Sequence, residues 1–171
     1  LQAITIDYEK PADVETESPL GYQYEKVQAK ETLNEDDVVM LYRSGNAATD
    51  IDGIAQSGYL DAMGIASTSN VYEYGVERFR LRHDATGKYW TLTDQLDRQL
   101  GANSSRKLRW NEGETAWSIQ TGYDGATITS ANENLGTLRF NAPAESYARF
   151  ALYTSKTLPL PYLYKQKGQN Q

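Results

Sequence analysis

The chain has 171 residues, a formal net charge of −6 and no cysteine. The length fits one domain with an extension, which buries roughly 70% of its unfolded surface without needing a metal or a disulfide. Without cysteine there is no disulfide, thiolate metal site or cysteine nucleophile. The acidic balance opposes binding to a phosphate backbone, and no window approaches the ~20 apolar residues of a membrane-spanning helix. We therefore predict no nucleic-acid partner and no membrane-spanning segment.

The aromatic residues are strongly biased, with 13 Tyr and 3 Trp against 3 Phe. Tyrosine suits a half-buried pleated surface, because its ring packs while its hydroxyl reaches water. This composition predicts a β-sheet protein.

The first segment, residues 1–36, is polar and acidic and is predicted to be an extended leader. It holds two strand candidates, residues 4–8 and 22–27. The opening Leu1-Gln2-Ala3 resembles the end of a signal-peptide cleavage site, with a small residue at the cut. We therefore expect a secreted, cell-surface or periplasmic protein after signal-peptide removal.

From residue 37 to 165 the chain consists of short β-type runs separated by Gly, Asn and Asp turns, without a helical period of useful length. This pattern predicts an all-β domain followed by a disordered tail over 166–171. The predicted strands are residues 38–43, a weak run at 51–55, 59–62, 71–74, 78–82, 89–93, 99–102, 107–110, 116–120, 126–130, 137–141, 149–154 and 161–165.

The chain also resembles itself at an offset of 38 residues. Phe79 then falls on Trp117, and Leu100 falls on Leu138. A looser offset of about 40 places Val39 before Phe79 and Leu60 before Leu100. Such a period indicates that each unit buries its apolar face against the other units.

Three units of about 40 residues, each of four short strands, resemble a β-trefoil, the fold of ricin-type and fascin-type domains. In that fold six strands form a barrel and three hairpins cap it. The resemblance covers residues 37–165. Another closed antiparallel barrel remains the alternative. Twelve strands are needed and thirteen are predicted, so either one run is not a strand or the terminal run pairs with the leader.

The C-terminal runs 149–153 and 161–165 are similar to those of β-rich tail domains of secreted bacterial hydrolases and nucleases. In those domains a Tyr-x-Lys-Val strand precedes the first unit, like Tyr24-Glu25-Lys26-Val27 here. The resemblance implies an accessory module of an exported bacterial protein.

Catalytic and metal-binding patterns are missing from the sequence. His83 is the single histidine, and there is no Gly-x-Ser-x-Gly elbow around which a triad could form. Asp50-x-Asp52-Gly53 matches only the start of a calcium loop. No spacing singles out a pair among Asp50, Asp61, Asp94 and the other carboxylates. We expect no catalytic residue, no metal site and no cofactor.

A basic stretch, residues 78–88, has acidic residues such as Glu77 and Asp84 beside it. Opposite charges interspersed in this way are typical of a solvated strand face.

The sequence supports ligand binding better than catalysis. In ricin-type units an Asp bonds a sugar hydroxyl, and the resemblance places Asp61 of Tyr59-Leu60-Asp61-Ala62 at that position. The Gln-x-Trp motif of that family is absent. Turn aromatics offer a second hint, because exposed rings often mark contact surfaces. We predict two aromatic–polar pairs, Tyr123 with Asp124 and Tyr147 with Asn141, while Trp90, Trp110 and Trp117 are predicted in the core.

The function predicted from the sequence is a non-catalytic binding or accessory module with a glycan or protein ligand. The alternative is a trefoil-type inhibitor of a hydrolase that inserts loop 141–147 or 156–161. A small secreted hydrolase is disfavoured by the lone histidine.

Overall fold

The computed structural model describes residues 21–72 and 75–170. In this part the chain is all-β apart from helix α1 (Gly53–Ser57) and a 3-10 turn at Glu133–Leu135. The strands are β1 (Tyr22–Lys26), β2 (Val38–Arg43), β3 (Asn46–Thr49), β4 (Leu60–Gly64), β5 (Phe79–His83), β6 (Trp90–Asp94), β7 (Leu100–Ala102), β8 (Leu108–Trp110), β9 (Trp117–Gly122), β10 (Gly125–Ser130), β11 (Thr137–Asn141), β12 (Arg149–Tyr153) and β13 (Tyr162–Gln169).

Eleven strands form one antiparallel sheet in the order β1-β13-β2-β3-β4-β12-β11-β10-β9-β6-β5, and β7 pairs with β8 separately. Strand β2 also pairs with β5, with Val38 opposite Arg80 and Val39 opposite Phe79. Two strands far apart in the linear order therefore meet.

The main core lies on one face of these strands. It contains four large aromatic side chains, Trp117, Phe79, Phe140 and Phe150, and aliphatic residues from most of the strands. The indole N–H of Trp117 donates to the carbonyl of Leu100 at 2.9 Å. Trp90 and Trp110 are only partly buried against it. The fully buried large side chains include Trp117, Phe79, Phe150, Leu41, Leu60, Leu81, Leu92, Leu100, Leu108, Ile128 and Leu138.

A second, smaller core lies on the opposite face of β2. Alternation along this strand sends Val39 and Leu41 into the main core and Met40 to the other side. Because β2 is apolar on both faces, its second face needs cover. Tyr24 of β1, which is 2% exposed, supplies that cover together with Val71 and Val76 from the segment between β4 and β5.

Two predictions for residues 44–55 are wrong. Residues 51–55 form no strand, because the Oδ1 of Asp50 accepts the backbone N–H of Ile54 at 3.3 Å and a helix begins at Gly53. The strand Asn46–Thr49 was missed. Ser44 and Gly45 both have positive φ, 51° and 80°, and so form the two-residue hairpin turn that pairs β2 with β3.

The chain ends also differ from expectation. Residues 166–169 were predicted in a disordered tail, but they prolong β13 and pair with β1. The terminal run does pair with the leader strand, as one predicted alternative had it. Val71 makes only an isolated bridge to Tyr22, and the candidate strand 4–8 lies outside the described residues.

The looser repeat alignment is wrong for the first unit. It treats Val39 and Phe79 as equivalent, whereas they lie directly opposite each other on adjacent strands β2 and β5. Positions related by rotation about a barrel axis lie on strands that run in the same direction, so antiparallel partners such as these two cannot be equivalent in a threefold repeat.

Candidate functional site

Three of the predicted ligand residues lie near Arg149 at the start of β12. In the sheet register Arg149 is opposite Asp61 of β4 on one side and Asn141 of β11 on the other. Tyr147 precedes it in the loop, and the Arg149 Nη2 lies 3.2 Å from the Tyr147 carbonyl oxygen to which it donates. Residues distant in sequence are thus brought to one surface by strand pairing.

The polar groups of this surface already have partners. Asp61 Oδ2 accepts the backbone N–H of Gly53 at 3.0 Å, so its carboxylate fixes the start of α1. Asn141 donates its amide to the Tyr153 hydroxyl at 2.9 Å. The predicted pairing of Asn141 with Tyr147 therefore has no hydrogen bond behind it. Arg149 also lies over the ring of Tyr59, 4.7 Å from its centroid.

The other predicted pair lies on a separate turn. Tyr123 and Asp124 form the tight turn between β9 and β10, and both are exposed. Nη1 of Arg43 donates a hydrogen bond of 3.0 Å to the carbonyl of Asp124, which holds the turn against the end of β2. Tyr123 and Tyr147 are each 88% exposed, the highest values among the large apolar side chains of the described residues.

A buried ionic cluster is the site that sequence reasoning missed. It consists of Asp50, Glu77, Asp94 and Arg98, with the ring of Trp110. The Nε and Nη2 of Arg98 lie 3.0 and 2.8 Å from Oδ2 of Asp94. Its Nη2 is also 3.6 Å from the carboxylates of Asp50 and Glu77. Glu77 was predicted on a solvated face, but it is 4% exposed.

The remaining contacts fix this cluster rigidly. Oδ1 of Asp94 accepts the backbone N–H groups of Leu96 and Arg98, which closes the turn after β6. The guanidinium of Arg98 stacks over Trp110 at 4.2 Å, and the Trp110 indole N–H donates to Asp50 at 2.8 Å. Four segments of the chain are therefore tied together through one arginine.

The charges of the cluster do not balance if every group is ionised, because one guanidinium faces three carboxylates. Burial raises the pKa of Glu77 to about 8, and its hydrogen bond and charge interaction with Asp94 add to this rise. Burial opposes ionisation of Asp94 as well, but hydrogen bonds from Glu77 and Arg98 hold its pKa below the ordinary value. The buried Oε1 of Glu77 accepts no hydrogen bond. A neutral Glu77 that donates to ionised Asp94 removes one of the three negative charges and leaves two carboxylates facing Arg98.

The chemistry open to the cluster is limited by its burial. Asp50, Arg98 and Trp110 line a depression of about 410 Å³, whereas Glu77 and Asp94 lie beneath the surface, 4% and 6% exposed. Among the described residues no three His, Asp or Glu side chains are arranged to hold a metal ion. The arrangement fits a structural network better than a reaction centre.

Little in the sequence signals this cluster. Asp94 and Arg98 are four residues apart, but that spacing indicates an ion pair only on a helix, and here it spans a turn. The other members join only through folding, since Asp50 and Trp110 are 60 residues apart.

Comparisons with protein-family models, with curated proteins and with solved structures give no match. In the described part of the chain, the helices are all too short or too polar to cross a membrane.

Proposed function

We propose that the chain is a non-catalytic binding module, built as a β-trefoil, that recognises a glycan through aromatic side chains on exposed turns. The observation that carries the binding role is the 88% exposure of both Tyr123 and Tyr147. Such rings lose hydration when they stack on the apolar face of a sugar, and polar neighbours can bond its hydroxyl groups.

The trefoil is supported by the order of strand pairing. Strands β2, β5, β6 and β9 pair in succession, as do β9 with β10 and β13 with β2. Between β10 and β13 the N–H of Ala126 donates to the Pro161 carbonyl at 2.7 Å, which completes a ring of six. Apart from β1, which pairs with the outer edge of β13, the remaining strands form the three hairpins β3–β4, β7–β8 and β11–β12.

A threefold repeat is supported by three contacts at corresponding places. Val39 lies opposite Phe79, Trp90 lies opposite Trp117, and Ala126 bonds Pro161. Each contact joins the starts of the first and fourth strands of a unit, with units β2–β5, β6–β9 and β10–β13. An experimental structure in which Phe79 and Trp117 occupy unrelated environments would reject this assignment.

Sequence resemblance supports the kind of protein to which the module belongs. The C-terminal runs are similar to those of tail domains in secreted bacterial hydrolases and nucleases, which supports an accessory role in an exported bacterial protein.

The binding role is tested on a glycan array with the intact chain and three variants. We expect Tyr123→Ala or Tyr147→Ala to weaken binding with a nearly unchanged melting temperature, because neither ring packs in a core. Leu96→Ala is the matched control, since Leu96 is also apolar and 65% exposed but lies in another turn. If all three variants bind like the parent chain, the turn tyrosines are not the site.

The second candidate is an inhibitor of a hydrolase, favoured by one observation. The loop 142–148 between β11 and β12 carries Tyr147 outward and is exposed over residues 144–147. The other suspected loop is less suitable, because the carbonyls of Leu158, Pro159 and Leu160 all accept hydrogen bonds from the body of the domain. Inhibition of a glycosidase or protease panel that is lost in Tyr147→Ala would favour this candidate.

A further inference from the structure

We propose that the outer face of strands β9–β12 binds an acidic saccharide, carboxylated or sulfated. This face forms a groove of about 600 Å³ whose lining includes neither Tyr123 nor Tyr147. The inference rests on the proposed glycan-binding function for the saccharide class, and adds to it a second surface and a charge preference.

The floor of the β9–β12 groove is a row of hydroxyl groups. Alternation along each strand turns Ser118, Thr129, Thr137 and Tyr153 outward. They are also in register, because Ser118 is opposite Thr129, Thr129 opposite Thr137, and Thr137 opposite Tyr153. At about 4.8 Å between neighbouring strands the row is roughly 14 Å long. The Thr129 and Thr137 hydroxyls bond each other at 2.8 Å, and the Tyr153 hydroxyl accepts the amide of Asn141 at 2.9 Å. Each hydroxyl still has acceptor capacity, and those of Ser118 and Tyr153 can also donate, which matches the mixed hydrogen bonding of sugar hydroxyls.

Three cations line the same groove, Lys88, Arg139 and Lys156, with Glu133 as the acidic residue. None of the three forms an ion pair with any residue in ranges 21–72 and 75–170. Arg139 is held in place by its Nη1, which donates to the Leu158 carbonyl at 2.8 Å, while its buried Nε has no hydrogen-bond partner. A local positive charge on a chain of net charge −6 favours an anionic group at this place.

The groove on β5 and β6, of about 860 Å³, differs in charge. Its Arg80 and Arg82 are accompanied by Asp84, Asp97 and Glu114, and Arg82 is ion-paired with Asp36 at 2.6 Å. The outer face of β2 is occupied by the second core, in which Tyr24, Met40 and Val71 are buried. Charge complementarity to an acidic saccharide therefore singles out the β9–β12 groove.

A nucleic acid is a poorer occupant than a saccharide. Its affinity depends on many clustered phosphate contacts, whereas this groove offers three cations among hydroxyl groups, and the whole chain repels a long polyanion. A short acidic saccharide needs few charge contacts and uses the hydroxyl row.

The test is calorimetric titration of the intact chain with oligogalacturonides, a sulfated dextran, neutral cello-oligosaccharides and a single-stranded oligonucleotide. We expect an acidic saccharide to bind, and Lys88→Gln with Lys156→Gln to weaken it by about tenfold or more, since each charge-assisted hydrogen bond is strong. Both lysines are exposed, so the variants should fold. Lys107→Gln, which removes an exposed charge elsewhere, should change affinity little.

Three results would overturn the inference. One is an equal loss in Lys107→Gln and in the groove variants, which would indicate only net charge. Another is a preference for the oligonucleotide that the same two substitutions abolish. The third is binding of neutral saccharides alone, dependent on Tyr123 or Tyr147, in which case the proposed function survives and the acidic groove does not.

Discussion

Arg98 donates both Nε–H and Nη2–H to a single oxygen of Asp94, the Oδ2, at 3.0 and 2.8 Å. The side chain of Asp94 is fully buried and that of Arg98 is about three-quarters buried. Removal of one partner from such a pair leaves the other charge without compensation, and this outweighs the modest net stability of the intact pair.

We predict that Arg98→Met lowers the free energy of unfolding by about 3–5 kcal/mol, because Asp94 keeps a buried charge. The measurement is urea denaturation at pH 7. Arg82→Met is the matched control: its pair with Asp36 is as short, at 2.6 Å, but both side chains are more than half exposed. That variant should change stability by less than about 1 kcal/mol. Equal losses in the two variants would mean that burial does not set the strength of the Arg98 pair.

Stability should fall as pH rises from about 5 to 8. Folded Glu77 holds its proton up to a pKa of about 8, whereas the unfolded chain loses it near 4.5. The folded state therefore binds more protons in this window, so its stabilisation is complete below pH 4.5 and is lost as pH passes through 8. The slope is at most about 1.4 kcal/mol per pH unit for one proton.

Glu77→Gln tests this dependence, since glutamine resembles the neutral acid. Its melting temperature should vary less between pH 5 and 8 than that of the parent chain. Glu112→Gln, at an exposed carboxylate, should keep the parent profile. If Glu77→Gln showed the same dependence of melting temperature on pH as the parent chain, another group would carry that dependence.

Strand β1 should be a structural part of the domain, not a dispensable leader. Tyr24→Ala removes a ring that is 2% exposed over Met40 and should cost about 3–5 kcal/mol. Amide exchange in the paired part of β13 should accelerate. Gln23→Ala, on the exposed face of the same strand, should have little effect, and equal behaviour of the two variants would contradict the prediction.

A close backbone approach should make one turn glycine irreplaceable. Gly87 and Gly113 have nearly the same φ, 75° and 76°. A Cβ at position 87 meets nothing within 4 Å, whereas at position 113 it collides with the backbone carbonyl of Ala102. Gly87→Ala should cost about 1–2 kcal/mol for the left-handed conformation, and Gly113→Ala clearly more. Thermal denaturation of the two variants measures the difference. Equal shifts in melting temperature would contradict the prediction.

The sequence by itself predicted the elements whose signals are local. Strands 38–43 and 137–141 have their predicted bounds, because alternation and flanking turn residues act within a few positions. Trp117 was expected in the core and is fully buried. Local signals failed where they were weak: Ala47 and Ala48 have low strand propensity, yet β3 forms because it pairs with both β2 and β4.

Tertiary structure alone decided the charged interior and the grouping of polar surface residues. Asp94 and Glu77 are two among 23 acidic residues, and nothing near them in the chain marks them as buried. Their ionisation depends on lost hydration and on neighbours that other strands bring into contact. The hydroxyl row of Ser118, Thr129, Thr137 and Tyr153 likewise exists only through strand register. Desolvation and register are properties of the folded sheet, because each requires segments that are remote in the sequence to lie side by side.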